Sequence, residues 1–320
     1  MTTIDRERVV SDAAARVTMD VVGFGGWPRN VRLSNGEIEL IATTDVGPRI
    51  VRLGFVGGQN LFHNFRATLG QSGGSDWNSY GGHRLWHAPE VFPRTYAPDN
   101  EPVDHSWDGQ TLVLRNSERS NGLDKELRVT LSATRPEVRV VHRIVNRNAW
   151  AIELSAWALS VMASGGRVIY PQEDFKPHPD VLVPARPLVL WYFTDMSDSR
   201  WTWGRKYIQL RQDPAAKTKQ KVGLLNRKGW AAYVLEGDVF IKRYPCDPGA
   251  VYADMGCNSE TYTDSDMLEI ETLGPMTRLE PEAHLEHVET WLLAHTECGP
   301  SEAEIDAKIL PLVHGLLATS

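Results

Sequence analysis

The sequence predicts an all-β protein: large antiparallel sheets stacked as a β-supersandwich, with a short helix at the C-terminal end. Apolar and polar residues alternate at period two through most of the chain between about residue 30 and residue 295. The alternating runs are short and bounded by Gly, Asn, Pro or Asp. Helical spacing is confined to the two ends.

The first hairpin spans Glu37 to Phe55. Ile38, Leu40 and Ala42 alternate with Glu37, Glu39 and Ile41, and Asp45-Val-Gly-Pro48 turns the chain into Arg49–Phe55. The segment from Gly70 to Gly82 reads as a long loop, a class often recruited for function. Thr111–Arg115, Glu126–Ala133, Glu137–Asn146 and Ile152–Val161 read as an antiparallel meander. Val189–Phe193, Tyr207–Arg211, Val222–Leu225 and Ala231–Leu235 extend the series, followed by Val239–Tyr244, Met267–Glu271 and Leu285–Leu293.

Ser301-Glu-Ala-Glu304 is a capping box, and Ile305, Ile309, Leu312 and Leu316 follow at helical spacing. Pro311 removes a backbone donor inside that pattern, so a kink or restart is expected near Leu310. Ile4–Val17 is a second candidate helix. With no break in composition, the expectation is one domain over residues 1–320, with 1–30 as an N-terminal extension and 300–318 as the C-terminal helix.

Composition narrows the function. Of 320 residues, 42% are hydrophobic and 23% charged, the balance of a folded, water-soluble chain. A net charge of −7 opposes attraction to phosphate backbones or anionic lipid, so neither nucleic acid nor membrane is an expected partner. Asp5, Arg6, Glu7 and Arg8 stand where a secretory leader is apolar, which points to the cytoplasm. Cys246, Cys257 and Cys298 are too few and too irregularly spaced for a disulfide framework, and are expected to be reduced and structural. Oligomeric state is left open.

Three groups of residues could carry chemistry. Tyr80-Gly-Gly-His-Arg-Leu-Trp-His-Ala-Pro-Glu90 concentrates His83, Arg84, Trp86, His87 and Glu90 behind two glycines that let the backbone pass close to a ligand. The plain alternative is a core-lining segment. His83 and His87 are four apart, but the flanking Gly-Gly and Pro exclude a zinc-binding helix, and on a strand they stand about 13 Å apart. No metal site is expected from them.

Met267-Leu-Glu-Ile-Glu271 alternates so that Glu269 and Glu271 project from one sheet face, where like charge and burial would raise their pKa values toward those of a general acid or base. The plain alternative is a solvated outer face. Glu260 is a third acid nearby, and Lys242, in an apolar strand, is a candidate neutralising partner. The third signal is the aromatic inventory. Eleven of 28 aromatics are Trp, including Trp157, and flat indole faces suit sugar rings or cationic intermediates as well as core packing. No phosphate-binding loop, dinucleotide fingerprint or nucleophile elbow is present.

Taken in order, these features resemble the galactose mutarotase-like superfamily of aldose 1-epimerases, from about Asn35 to Ala294. The resemblance rests on Asn35-Gly-Glu-Ile-Glu-Leu-Ile-Ala-Thr-Thr-Asp-Val-Gly-Pro-Arg, on Leu268-Glu-Ile-Glu271, and on Leu279-Glu-Pro-Glu-Ala leading to Glu289-Thr-Trp291. Gly-Gly-His-Arg-Leu-Trp-His-Ala-Pro-Glu and Glu-Ile-Glu-Thr-Leu-Gly-Pro are similar to a largely bacterial branch of it.

The resemblance implies a sugar-sized groove on a concave face, a sugar or sugar derivative as ligand, and neither metal nor organic cofactor. It places the general base at Glu269, with Glu271 as a second polar or proton-donating group and His83 and Arg84 on sugar hydroxyls. One departure stands out: the tract holding the family's acid histidine corresponds to Leu154-Ser-Ala-Trp-Ala-Leu159, which has no imidazole. His87, His178 or Lys242 would have to supply that proton from elsewhere. An epimerase-like isomerase is therefore the leading expectation. A binding protein without turnover is the first alternative, and a cyclase working on an apolar substrate through a cation is the second.

Overall fold

In the computed structural model, residues 16–317 are described. The chain starts with a four-strand meander: β1 (Thr18–Phe24), β2 (Trp27–Ser34), β3 (Ile38–Thr43) and β4 (Arg49–Phe55). The expected 1–30 extension thus contributes β1 and the start of β2. The helix expected at Ile4–Val17 lies outside the described residues except for Arg16 and Val17, which are not helical.

After the long loop comes β5 (His83–Ala88), which joins the same sheet. A strand not expected, β6 (Asp104–Trp107), precedes the first three strands of the expected meander, β7 (Thr111–Glu118), β8 (Leu123–Leu131) and β9 (Glu137–Asn146), and the four form part of a second sheet; the meander's fourth strand, at Ile152, crosses to the first sheet instead. The chain then alternates between sheets through β10 (Ile152–Met162), β11 (Arg167–Pro171), β12 (Leu188–Leu190), β13 (Trp201–Trp203), β14 (Tyr207–Arg211) and β15 (Gln220–Leu224). It finishes with β16 (Trp230–Leu235), β17 (Asp238–Arg243), β18 (Ser259–Thr263), β19 (Leu268–Leu273), β20 (Thr277–Leu279) and β21 (His284–His295).

The first sheet runs β1-β2-β3-β4-β5-β10-β19-β18-β15-β12, with β20 added on β10, and the second runs β13-β14-β11-β16-β17-β21-β9-β8-β7-β6. All registered pairs are antiparallel. The sheets bury one continuous apolar core between them, with Leu40, Leu53 and Leu268 from the first against Leu127, Phe240 and Leu293 from the second.

The outer faces differ. That of the second sheet is covered by helices at Glu302–Lys308 and Leu310–Leu317, whose Ile305, Ile309 and Val313 pack on Ile169, Ile241 and Leu292. Ser301 accepts from the Glu304 amide at the first turn, and the helix restarts at Leu310 beside Pro311, as the capping box and the proline predict. The outer face of the first sheet carries a groove.

Gly81 and Gly82 show a different use from the one expected. A Cβ at Gly81 would sit 2.1 Å from the His63 carbonyl oxygen, and one at Gly82 would sit 2.3 Å from that of Ile50. Both have positive φ, so they serve close backbone packing at the start of β5. No helix among the described residues is long and apolar enough to cross a membrane.

Candidate functional site

The groove is assembled by strand register. Arg84 on β5 stands opposite Leu159 on β10, which stands opposite Glu271 on β19, then Glu260 on β18 and Gly223 on β15. One pleat along, a second row runs Val161, Glu269, Tyr262 and Lys221. Residues two apart on a strand share a face, so the two rows together pave one floor. Gly223 matters because a Cβ there would meet Cys257 Sγ at 2.6 Å and the Trp191 ring at 3.2 Å. Its absence lets Trp191 lie over the floor. The groove holds about 360 Å³, within the usual range for small-molecule sites, and its walls include Trp77, Trp86, Tyr96, Trp157 and Phe193.

The floor contains three carboxyls and two cations. Lys221 Nζ lies 2.8 Å from Glu260 Oε2 and 3.0 Å from Glu271 Oε2. Trp157 Nε1 donates to the same Glu271 oxygen at 3.0 Å. Burial disfavours the Lys221 ammonium, but the two carboxyls override it and hold the group charged well above the ordinary lysine range. Its ammonium also sits 4.6 Å from the Trp191 ring centre and 5.1 Å from that of Trp157.

Glu269 has a looser environment. Arg84 Nη2 reaches its Oε1 at 3.3 Å while the guanidinium stacks on Trp86 at 4.3 Å. Burial pushes the Glu269 carboxyl up to about 7, against the pull of Arg84. Glu260, deeper still, is pushed well above its ordinary value by burial despite Lys221. Glu269 and Glu271 both line the groove, and Glu269 is the more exposed, at 9% against 0% for Glu271 and for Glu260. Arg84 Nε and Nη1 and Glu271 Oε1 are buried without hydrogen-bond partners.

The structure brings Glu269, Glu271, Glu260, Arg84, Trp86 and Trp157 together, with Glu90 at the rim accepting from the Tyr96 hydroxyl. It does not bring the histidines there. His83 and His87 alternate with Arg84 and Trp86 on β5, so they face the opposite way, into the space between the sheets. His83 bonds Ser160 Oγ at 2.8 Å and His142 Nε2 at 2.6 Å. His87 is buried near Glu118 and Lys125, and burial first, then Lys125, lowers it to about 2. His178 is exposed in the 172–187 segment. Lys242 pairs with Glu289 at 3.0 Å between the sheets, so the neutralising cation of the floor is Lys221 instead.

The inter-sheet cluster is closed. His142 Nδ1 donates to the His287 carbonyl at 2.9 Å, which leaves its Nε2 to accept from His83. Thr272 donates to Glu289 and accepts from His287, and Trp291 Nε1 donates to the other Glu289 oxygen at 2.8 Å. One proton assignment with three neutral imidazoles satisfies every bond, in keeping with the downward push of burial on all three. Ligand atoms of His83, His142 and Glu289 lie within 4.8 Å of one another. These groups do not fit a metal: two imidazole nitrogens on one tetrahedral zinc stand about 3.3 Å apart, and here they are joined directly at 2.6 Å.

Lys221, Tyr96 and Tyr262 escape the sequence reading. Lys221 carries the same signal as Lys242, a cation inside an apolar strand, and only register distinguishes the two.

The chain has a galactose mutarotase-like fold. A galactose mutarotase-like protein from Lactobacillus casei superposes with a TM-score of 0.52 at 9% identity, over 83% of this chain and 100% of that one. Slr1438 from Synechocystis sp. PCC 6803 gives 0.54 at 12% identity, over 87% and 100%. A TPR-domain containing protein from Parabacteroides distasonis gives 0.58 at 12% identity over 85% of this chain, which spans only 48% of that protein. No family profile matches the sequence, and no curated protein matches it.

Proposed function

We propose that the chain is an aldose epimerase-like isomerase that opens and recloses a sugar ring over Glu269. The observation behind this is the position of Glu269, the most exposed of the floor carboxyls, in a groove walled by Trp86, Trp157 and Trp191. With no imidazole among the described lining residues, this carboxyl serves both proton transfers.

In the neutral acid form, Glu269 gives its proton to the ring oxygen while its second oxygen takes the proton of the anomeric hydroxyl. The C1–O5 bond breaks, the aldehyde turns about C1–C2, and the reverse transfers close the ring. A carboxyl titrating near neutrality suits such a dual role. Arg84 orients it, and Lys221 and Trp157 hold Glu271 in place for sugar hydroxyls.

Polarimetry or exchange NMR on freshly dissolved hexoses and pentoses is the direct test. Acceleration over buffer that disappears in Glu269→Gln is expected. No acceleration across neutral aldoses and sugar acids would remove the isomerase reading.

The groove's lack of an imidazole favours one second reading, a sugar-binding protein without turnover. Saturable tryptophan quenching by a sugar, unchanged in Glu269→Gln and accompanied by no product, is its signature.

A further inference from the structure

The rim of the groove is apolar and exposed on three sides. Phe92, 80% exposed, lies against Tyr96 at 6.0 Å between ring centres, and Tyr96 is a groove wall. Phe193, itself a wall residue, meets Tyr262 at 6.4 Å, with Tyr192 fully exposed beside it. The third exposed apolar group is on the 251–256 turn, which lies behind the Trp86 and Trp157 walls rather than in the lining itself. Its Ala253 packs in the cluster of Trp86 and Trp157, while Val251 and Met255 point outward.

Asp254 and Met255 both hold positive φ, 48° and 61°, a conformation unfavourable for side chains other than glycine. In that turn Met255 is 87% exposed. Single exposed apolar residues are ordinary, but three separate loops raising them around one opening form a patch.

The floor beneath is polar and balanced in charge. The groove's lining sets Glu90, Glu269 and Glu271 against Arg84, Lys219 and Lys221, and Glu260 is sealed behind Lys221. A ligand complementary to both levels is therefore amphiphilic, with an uncharged polar head below and an apolar extension above.

We propose that the groove takes a sugar bearing an apolar substituent, an alkyl, acyl or aryl group, with the sugar on the carboxyl floor and the substituent along Phe92, Tyr192 and Met255. The identity of the head rests on the sugar reading of the floor; the substituent rests on the rim alone.

The probes are n-octyl β-D-glucoside and β-D-galactoside, their methyl counterparts, 6-O-octanoyl-D-glucose and -galactose with the unsubstituted sugars, and 1-octanol, all below micellar concentration. Binding is read by tryptophan fluorescence and calorimetry. At least one octyl or octanoyl compound is expected to bind about 50-fold more tightly than its short partner, the gain from removing roughly three methylenes from water. Phe92→Ser/Met255→Ser, which alters exposed side chains only, should cut that advantage to under about fivefold while leaving affinity for the short sugar unchanged.

No pair differing by more than about threefold, complete absence of binding included, overturns the proposal. So does an advantage that survives the double substitution, or a dimer that dissociates on it without any chain-length preference, which would mean a second copy covers the rim. Octanol binding as tightly as the octyl sugars would overturn the sugar head along with the isomerase reading. Loss of turnover in the polarimetric assay with chain-length preference intact would sink only the isomerase reading.

Discussion

The space between the sheets and the groove on the outer side of β5, β10 and β19 hold similar residues and treat them in opposite ways. Between the sheets, Lys242, Glu289, His142 and His287 from the second sheet and His83 from the first form a network in which donors and acceptors are matched and Glu289 is held well below its ordinary value, the Lys242 ammonium overcoming burial. Facing the groove, Arg84 and Glu271 keep atoms without partners, and Glu269 rises to about 7 because burial outweighs Arg84. Buried charge alone therefore does not mark a site in this molecule. Incomplete satisfaction beside an opening does.

The sharpest way to break the contrast is Lys242→Met, which strands the Glu289 carboxylate between the sheets. A loss of about 3–5 kcal/mol in stability is expected by denaturant unfolding, much of it recovered in Lys242→Met/Glu289→Met. A small loss in the single variant would mean the network is not closed as described.

On the groove face the cost should fall on chemistry instead. Glu269→Gln is expected to lower any isomerisation rate roughly 10³-fold, about 4 kcal/mol. Because the neutral acid is the working form, the wild-type rate should decline as pH rises above about 7. A rate that climbs through that range would reverse the assignment.

The two faces should also answer pH with opposite signs. Glu269 titrates near 7 folded, against an ordinary 4.5, so between those values the unfolded chain releases a proton that the folded chain keeps. Its contribution to stability therefore falls as pH rises across that window, by about 3 kcal/mol at most, and is flat above it. Glu289 is shifted down, so its contribution is present above its ordinary value and is lost as pH falls below it. Unfolding of Glu269→Gln against pH should lack the first slope and keep the second.

The smallest effect sharpens the role of the walls. Trp157→Phe removes one donor from Glu271 and should cost about 1 kcal/mol in stability, with sugar affinity reduced only a few-fold. Unchanged affinity would assign Trp157 to packing alone.

Much of this was readable from the string. Period-two alternation placed Glu137–Asn146 and Tyr207–Arg211 at their observed limits, and Ser301 and Pro311 marked where the terminal helix starts and restarts. The same alternation applied to His83-Arg84-Leu-Trp86-His87 would have separated the imidazoles from the guanidinium and indole, since neighbours on a strand cannot share a face. The glycines, loop and histidines grouped there by proximity in sequence are divided by the pleat.

What the sequence by itself determined is local: strand periods, turn chemistry, the capping box, and the pairing of Glu269 with Glu271 on one face. Which face became a groove and which a sealed interior was decided by tertiary structure. Lys221 and Lys242 show why, since each is a cation in an apolar strand with a carboxylate 2.8–3.0 Å away, and nothing nearby in the chain distinguishes them. The distinction comes from the sheet order that sets β15 beside β18 and β17 beside β21, and from the packing of the second sheet over one side only. Burial and dielectric are properties of that arrangement, so the ionisation of each carboxyl was settled only once the sheets had closed.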